Sequence, residues 1–281
     1  EDNLATLKAF RAMGVAITDP VGGRLSIEGV GMHGLKPPAQ PLDMGNSGTA
    51  MRLIAGLLAG QRFDATLIGD ESLSKRPMER IAKPLRAMGA VIDTAEGGRP
   101  PLRIRGGQAL SGIRYDIPVA SAQIKSALLL AGLYAQGRTT LTEPGVSRDH
   151  SERMLQAFGC PVHKDGLTIS LEPVAALQGG HIAVPGDISS SAFFLVAASI
   201  APGSDILIKN VGINPTRTGV IDILKLMGAD LSLENPRTLG AEPVADIRVR
   251  HAALRGIDIP RELVPLAIDE FPILFIAAAC A

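Results

Sequence analysis

"LKAFRAMGVAI" (7–17) and "AKPLRAMGAVI" (82–92) share one pattern, and that pattern decides how the chain is built. "RMLQAFGCPV" (153–162) and "DILKLMGADL" (222–231) carry it again, so it returns about every 70 residues. Each copy predicts a short amphipathic helix closed by Gly14, Gly89, Gly159 or Gly228, then a brief apolar strand. Glycine suits the left-handed turn that ends a helix. Alternating stretches follow and predict strands: "RLSIEG" (24–29), "PLRIRGG" (101–107), "LTISLEP" (167–173) and "DIRVRH" (246–251). A second helix belongs to each unit: "GTAMRLIAGLLAG" (48–60), "AQIKSALLLAGLYAQG" (122–137), "SSAFFLVAASIAPG" (190–203) and "EFPILFIAAACA" (270–281). The first three run through Gly into the strands "DATLIGD", "RTTLTEPG" and "SDILIKNVG". These second helices are apolar nearly all round and are expected in the interior. The unit is α/β, with each small sheet packed on helices, and it is far longer than a solenoid repeat. Near residue 185 "VPGDISSS" follows the loose stretch "EPVAALQGG", which places a domain boundary there: 1–184 and 185–281.

The 281 residues are 46% hydrophobic and 20% charged, enough for large cores and unlike a disordered chain. Lys plus Arg number 28 and Asp plus Glu 28, so bulk charge argues against nucleic-acid or membrane-surface partners while leaving room for local basic pockets. Cys160 and Cys280 stand alone, with no metal-like spacing, as expected of a reduced cytoplasmic protein. No apolar run approaches membrane-spanning length and no signal peptide opens the chain. Residue 1 is Glu, and "FPILFIAAACA" ends without a helix stop, so a fragment of a longer polypeptide is expected.

"GVGMHG" (29–34) matches a dinucleotide fingerprint, but the prolines of "LKPPAQP" forbid the helix that fingerprint needs. "GNSGTAMR" (45–52) reads as an N-cap when taken alone. The equivalent starts "ASAQIK", "GDISSS" and "IDEFP" are polar as well, and several helix N-termini aimed at one place bind a multiply anionic ligand. "GDESLSKRPMER" (69–80) gathers Lys75, Arg76 and Arg80. A solvated basic turn is the bland reading. Cations sit poorly at a helix start, however, and suit an incoming carboxylate or phosphate there. "SAQIKSA" (121–127) sets Ser121, Gln123 and Lys125 at one helix opening, and "SRDHSER" (147–153) sets Ser147, Arg148 and His150 at another. Ser147 or Asp149 is the capping candidate there, and His150 is given no catalytic role. Asp269 and Glu270 precede the last helix as caps, or as a general base for a substrate hydroxyl.

"GNSGTAMR", "SKRPMER", "SAQIKSALLLAGL", "SRDHSERML", "GDISSSAFFL" and "DEFPIL", in this order and spacing, resemble the 5-enolpyruvylshikimate-3-phosphate synthase family (3-phosphoshikimate 1-carboxyvinyltransferase). The resemblance implies an inside-out α/β barrel, enolpyruvyl transferase-like, of repeated βαβαββ units in two domains. It implies transfer of the enolpyruvyl group from phosphoenolpyruvate to the 5-hydroxyl of shikimate 3-phosphate, through a tetrahedral intermediate, with phosphate released. No metal or organic cofactor is implied. Gly48, Arg76 and Gln123 match the phosphoenolpyruvate site, and Ser121, Ala122, Gln123 and Arg148 the shikimate-phosphate site. Asn46, Thr49 and Arg52 are expected to shape the turn, and Asp269 matches the proton acceptor from the 5-hydroxyl. "SAQIK", "RDHSE" and "NPTR" (214–217) resemble the glyphosate-tolerant subgroup. The implied partners are the two small substrates alone, with no nucleic acid, no membrane and a monomeric state.

Family enzymes are longer at both ends, so the early Lys-Ser…Arg grip and the later Glu, Lys and Arg residues of the resemblance have no match here. The polypeptide by itself is expected to lack synthase activity. Two rivals stand beside this reading. The UDP-N-acetylglucosamine enolpyruvyl transferase shares fold and donor but places a reactive Cys in the loop where this chain has "GDESLSKRP". The other rival is a non-catalytic scaffold that keeps only the fold.

Overall fold

The computed structural model describes residues 2–281. They divide into two compact units: the residues up to Gly145 with Phe158–Gly179, and Val146–Ala157 with Gly180–Ala281. The first unit opens with α1 (Asp2–Ala12) and then runs β1 (Leu42–Asp43), α2 (Gly48–Ala59), β2 (Ala65–Ile68), α3 (Glu71–Ser74), α4 (Glu79–Ala87), β3 (Val91–Ala95) and β4 (Arg99–Arg105). The next repeat supplies β5 (Arg114–Asp116), α5 (Ala122–Gly132) and β6 (Thr139–Thr142). It continues through α6 (His150–Ala157), which groups with the second unit, to β7 (Val162–Asp165) and β8 (Thr168–Leu171). The remainder is α7 (Ile188–Ile200), β9 (Asp205–Gly212), α8 (Gly219–Leu226), β10 (Asp230–Leu239), β11 (Glu242–Arg250) and α9 (Phe271–Ala279).

Sheet order makes the repeat explicit. The strands run β1-β2-β4-β3 and β5-β6-β8-β7, each with one parallel pair followed by antiparallel ones. The third sheet is β10-β11-β9, and the parallel bridge Gly186↔Val211 stands where its first strand belongs. This is the βαβαββ unit of an inside-out α/β barrel. All four expected helix-ending glycines have left-handed backbones, with φ +84, +102, +83 and +92 at Gly14, Gly89, Gly159 and Gly228.

Two expectations are corrected. "RLSIEG" forms no strand, only the bridges Ile17↔Ile27 and Val21↔Arg24. In the later units the corresponding hairpin leans on a third strand, β2, β6 or β9. Among the described residues the 15–29 hairpin has none, and two strands alone are marginal. The second helices are interior only in the first unit. There α2 and α5 pack so closely that a Cβ at Gly56 would lie 2.1 Å from the Ala127 carbonyl oxygen. That contact explains a glycine inside a helix despite its cost. In the second unit Phe193 and Phe194 of α7 and Phe275 and Ile276 of α9 are exposed, because α7 and α9 bury only their facing sides.

Asp246 on β11 stitches the third sheet at its register shifts. It accepts from the Asn210 backbone N–H at 2.9 Å, Asn235 Nδ2 at 3.2 Å and Arg237 Nη2 at 3.0 Å. Asn210 and Asn235 both have positive φ, at +57 and +49. These donors hold the Asp246 pKa down to about 2 from 3.8, the Asn210 N–H first, then Asn235 and Arg237. A carboxyl depressed in the folded state stabilises above its unfolded pKa, and that contribution disappears as pH falls through the folded one. Between pH 3.8 and 2 the second unit is therefore expected to lose stability. Asp246→Asn should flatten that limb in denaturation midpoints measured across the range. An unchanged slope would remove Asp246 from the account.

Candidate active site

The close approach of α2 and α5 brings their N-termini side by side. Ser47 Oγ caps α2 by accepting from Ala50 N at 3.2 Å, and Ser121 Oγ caps α5 by accepting from Ile124 N at 3.4 Å. At the second helical position of each, Gln123 Nε2 donates to Thr49 Oγ1 at 2.8 Å. The second unit repeats the arrangement. Asp187 caps α7 by accepting from Ser190 N at 2.9 Å, and Ser189, again at the second position, donates to Glu270 at the start of α9. Helix starts thus meet in pairs, through the second positions of α2 and α5 in the first unit and through the second position of α7 and the N-cap of α9 in the second.

Their chemistry differs between the units. The starts of α7 and α9, polar in the sequence as well, hold the carboxylates of Asp187 and the buried Glu270. Burial works against the Asp187 charge, but hydrogen bonds from Ser190 and the charge and bonding of Arg217 leave its pKa below the usual carboxylate value. The α2 start has no acidic residue in its first turn and faces arginines instead. A Cβ at Gly48 would lie 3.1 Å from Arg52 Nη1 and 3.2 Å from Arg76 Nη1. Arg76 Nη2 donates to Asn46 Oδ1 at 2.6 Å, and Arg52 Nη1 to Gln123 Oε1 at 2.6 Å. Burial first, then the charges of Arg80 and Arg76, lower the Arg52 pKa. Two cations therefore converge on one helix start, each steadied by a neutral amide oxygen. An anion seated there relieves their repulsion and accepts from the helix N–H groups at once. Arg52, expected to shape the turn, reaches out of it to Gln123, 71 residues away.

The dipole argument for "SKRP" is corrected. Lys75 is the C-cap of α3 and pairs with Glu71 at 2.6 Å, while α4 begins only at Glu79. These cations follow a helix end, where the dipole favours them. What distinguishes Arg76 is its convergence with Arg52 on Gly48. Lys125, read from the sequence as facing a ligand, is wholly buried and donates to Glu143 Oε2 at 2.9 Å. One turn into α5, its side chain points into the core.

Arg148 and Asp269 form an ion pair within the second unit. Behind Arg148, Asp149 accepts from Arg153 Nε at 2.8 Å, and this bond leads the causes that raise the Arg153 pKa. His150 Nδ1 lies 2.7 Å from Glu242 Oε1. Glu242 carried no signal in the sequence, and "NPTR" and "GDISSS" did not reveal the long-range partners of Asn214 and Ser189, which meet them only through the fold. The described site residues thus form one cluster in each unit: Asn46, Gly48, Thr49, Arg52, Arg76, Ser121, Ala122 and Gln123 in the first, and Arg148 and Asp269 in the second.

Gly48→Ala is expected to weaken binding of inorganic phosphate at this start about tenfold, because the methyl group presses on two guanidinium groups there. Calorimetric titration checks this. Unchanged affinity would place the anion elsewhere.

A βαβαββ repeat that pairs its inner helix starts, one of them faced by two arginines, defines an α/β protein built from a repeated unit. The model of one family, EPSP synthase (3-phosphoshikimate 1-carboxyvinyltransferase), matches residues 1–281, and the chain belongs to that family. It is 65% identical over 280 residues to the 3-phosphoshikimate 1-carboxyvinyltransferase of Alkalilimnicola ehrlichii, covering 100% of this chain and 63% of that protein. It is 64% identical over 281 residues to that of Methylococcus capsulatus, covering 100% of this chain and 64% of the relative. The solved EPSP synthase of Acinetobacter baumannii superposes with a TM-score of 0.93 at 62% identity, over 99% of this chain and 63% of that one. The chain therefore spans a little under two thirds of the relatives it matches.

Proposed function

We propose that this chain carries substrate-binding parts of an enzyme that moves the enolpyruvyl group of phosphoenolpyruvate onto the 5-hydroxyl of shikimate 3-phosphate. The observation that carries the reading is the convergence of Arg52 and Arg76 on the α2 start at Gly48. Both substrates bear phosphate, and the donor adds a carboxylate. In this reading Arg76 and the N–H groups at Gly48 hold phosphoenolpyruvate, with Gln123 reaching toward it. Ser121, Ala122, Gln123 and Arg148 receive shikimate 3-phosphate. Asp269 takes the proton of the 5-hydroxyl as its oxygen adds to the enol carbon. In the addition the methylene carbon takes up a proton and becomes a methyl group. The tetrahedral adduct then gives up a proton from that carbon as its C–O bond to phosphate breaks, which re-forms the double bond and releases phosphate. The protein works as a cytoplasmic monomer. No helix among the described residues is long and apolar enough to cross a membrane.

Calorimetry with the 281-residue chain tests the binding half of the reading. Heat is expected with shikimate 3-phosphate, and none with UDP-N-acetylglucosamine. The reverse result selects the rival transferase, and silence with shikimate 3-phosphate and phosphoenolpyruvate alike leaves only a scaffold. Phosphate release from phosphoenolpyruvate, dependent on shikimate 3-phosphate, is expected from a polypeptide of the relatives' length. The 281 residues alone are expected to stay at background.

A further inference from the structure

The turn 214–217, "NPTR", has no role in the reading above, yet its first residue is one of the most thoroughly bonded in the second unit. Asn214 is 2% exposed. Its Nδ2 donates to Asp149 Oδ1 at 2.7 Å and to Glu242 Oε2 at 3.0 Å. Its Oδ1 accepts from the Thr216 backbone N–H at 2.9 Å and from Thr216 Oγ1 at 2.7 Å. Asp149 and His150 directly follow Arg148, and Glu242 also meets His150. Asn214 therefore grips both residues that succeed Arg148, one directly and one through Glu242. At the other end of the turn, Arg217 Nη2 donates to Asp187 Oδ1 at 2.9 Å and to Ser189 Oγ at 2.7 Å. Ser189 in turn reaches Glu270, the neighbour of Asp269. One turn thus joins the backbone carrying Arg148 to the backbone carrying Asp269.

A buried polar network with its members bonded holds one geometry, and breaking part of it frees the rest. An arginine on a loop that must be ordered during binding gives up affinity to that ordering. We propose that the turn 214–217 is a positioning element for phosphate recognition, in which Asn214, through Asp149 and Glu242, fixes the backbone from which Arg148 meets the phosphate. This rests on the reading of Arg148 as a ligand of shikimate 3-phosphate.

The test titrates the 281-residue chain with shikimate 3-phosphate and with shikimate, which lacks the phosphate. Asn214→Leu removes the bracket without adding charge. It is expected to weaken shikimate 3-phosphate about tenfold and shikimate hardly at all, about 1.4 kcal/mol on the phosphate alone. Glu242→Gln is the milder variant and separates positioning from charge. Losing a carboxylate near the phosphate tightens binding by electrostatics alone, whereas loosening the bracket weakens it. A weakening of about threefold is expected. A purely structural role would lower the unfolding midpoint and change both ligands alike. If both variants keep the wild-type ratio of the two affinities, the proposal is overturned. Arg148→Ala is the control. If it weakens shikimate 3-phosphate while the other two variants do not, positioning alone fails. If Arg148→Ala has no effect, or the wild-type chain binds neither ligand, the reading beneath the proposal falls with it.

Discussion

Lys125→Met is expected to destabilise the first unit by about 3–5 kcal/mol, the usual cost of removing one partner of a buried ion pair. The side chains of Lys125 and Glu143 are 0% and 2% exposed and meet at 2.9 Å. Methionine matches the length of the lysine stem, so packing is largely kept, but the Glu143 carboxylate then lies buried without that ammonium. Buried charge without its partner is far more costly than either a buried pair or a buried apolar contact. The double variant Lys125→Met/Glu143→Leu is accordingly expected to recover most of the loss. Urea denaturation followed by circular dichroism measures both. A single-variant loss below about 1 kcal/mol would show that the pair is not holding α5 to the residue after β6.

Arg76→Ala is expected to weaken phosphoenolpyruvate binding roughly 10- to 100-fold, in line with the loss of charge-assisted hydrogen bonds to an anion. Arg76 is half-buried, and Asn46 Oδ1 steadies it at 2.6 Å, so its guanidinium is already oriented before ligand arrives. Removing it also relieves the repulsion felt by Arg52, so little stability should be lost. Arg76→Lys should restore only part of the affinity, since an ammonium lacks the planar pair of donors. The effect should shrink in high salt, as the remaining exposed charges are screened. Titration calorimetry at two ionic strengths reads all of this. Equal affinity for Arg76→Ala and wild type would move the phosphoenolpyruvate site away from Gly48.

Much of the architecture is local, and so it was legible. A glycine after an amphipathic turn needs only its own backbone freedom to end a helix, which is why Gly14, Gly89, Gly159 and Gly228 all turn left-handed. Ser47 and Ser121 cap their helices through atoms three residues ahead. Repetition of such signals about every 70 residues is enough to reveal the unit before any contact is known. "RLSIEG" was misread because a strand is stable only beside another, and strand pairing is not written in the strand itself.

The sequence by itself determined the repeat, the helix ends and caps, and the polar composition of each inner helix start, because these depend on residues within a turn or two of one another. Tertiary structure alone decided which starts face arginines. Arg52 finds Gln123 across 71 residues, Arg76 finds Asn46 across 30, and Asn214 finds Asp149 across 65. It also turned Lys125 into the core and joined Ser189 to Glu270 across 81 residues. Charge acts through space rather than along the chain. Whether a polar helix start is a cap or a binding site depends on which distant side chains the fold brings to it.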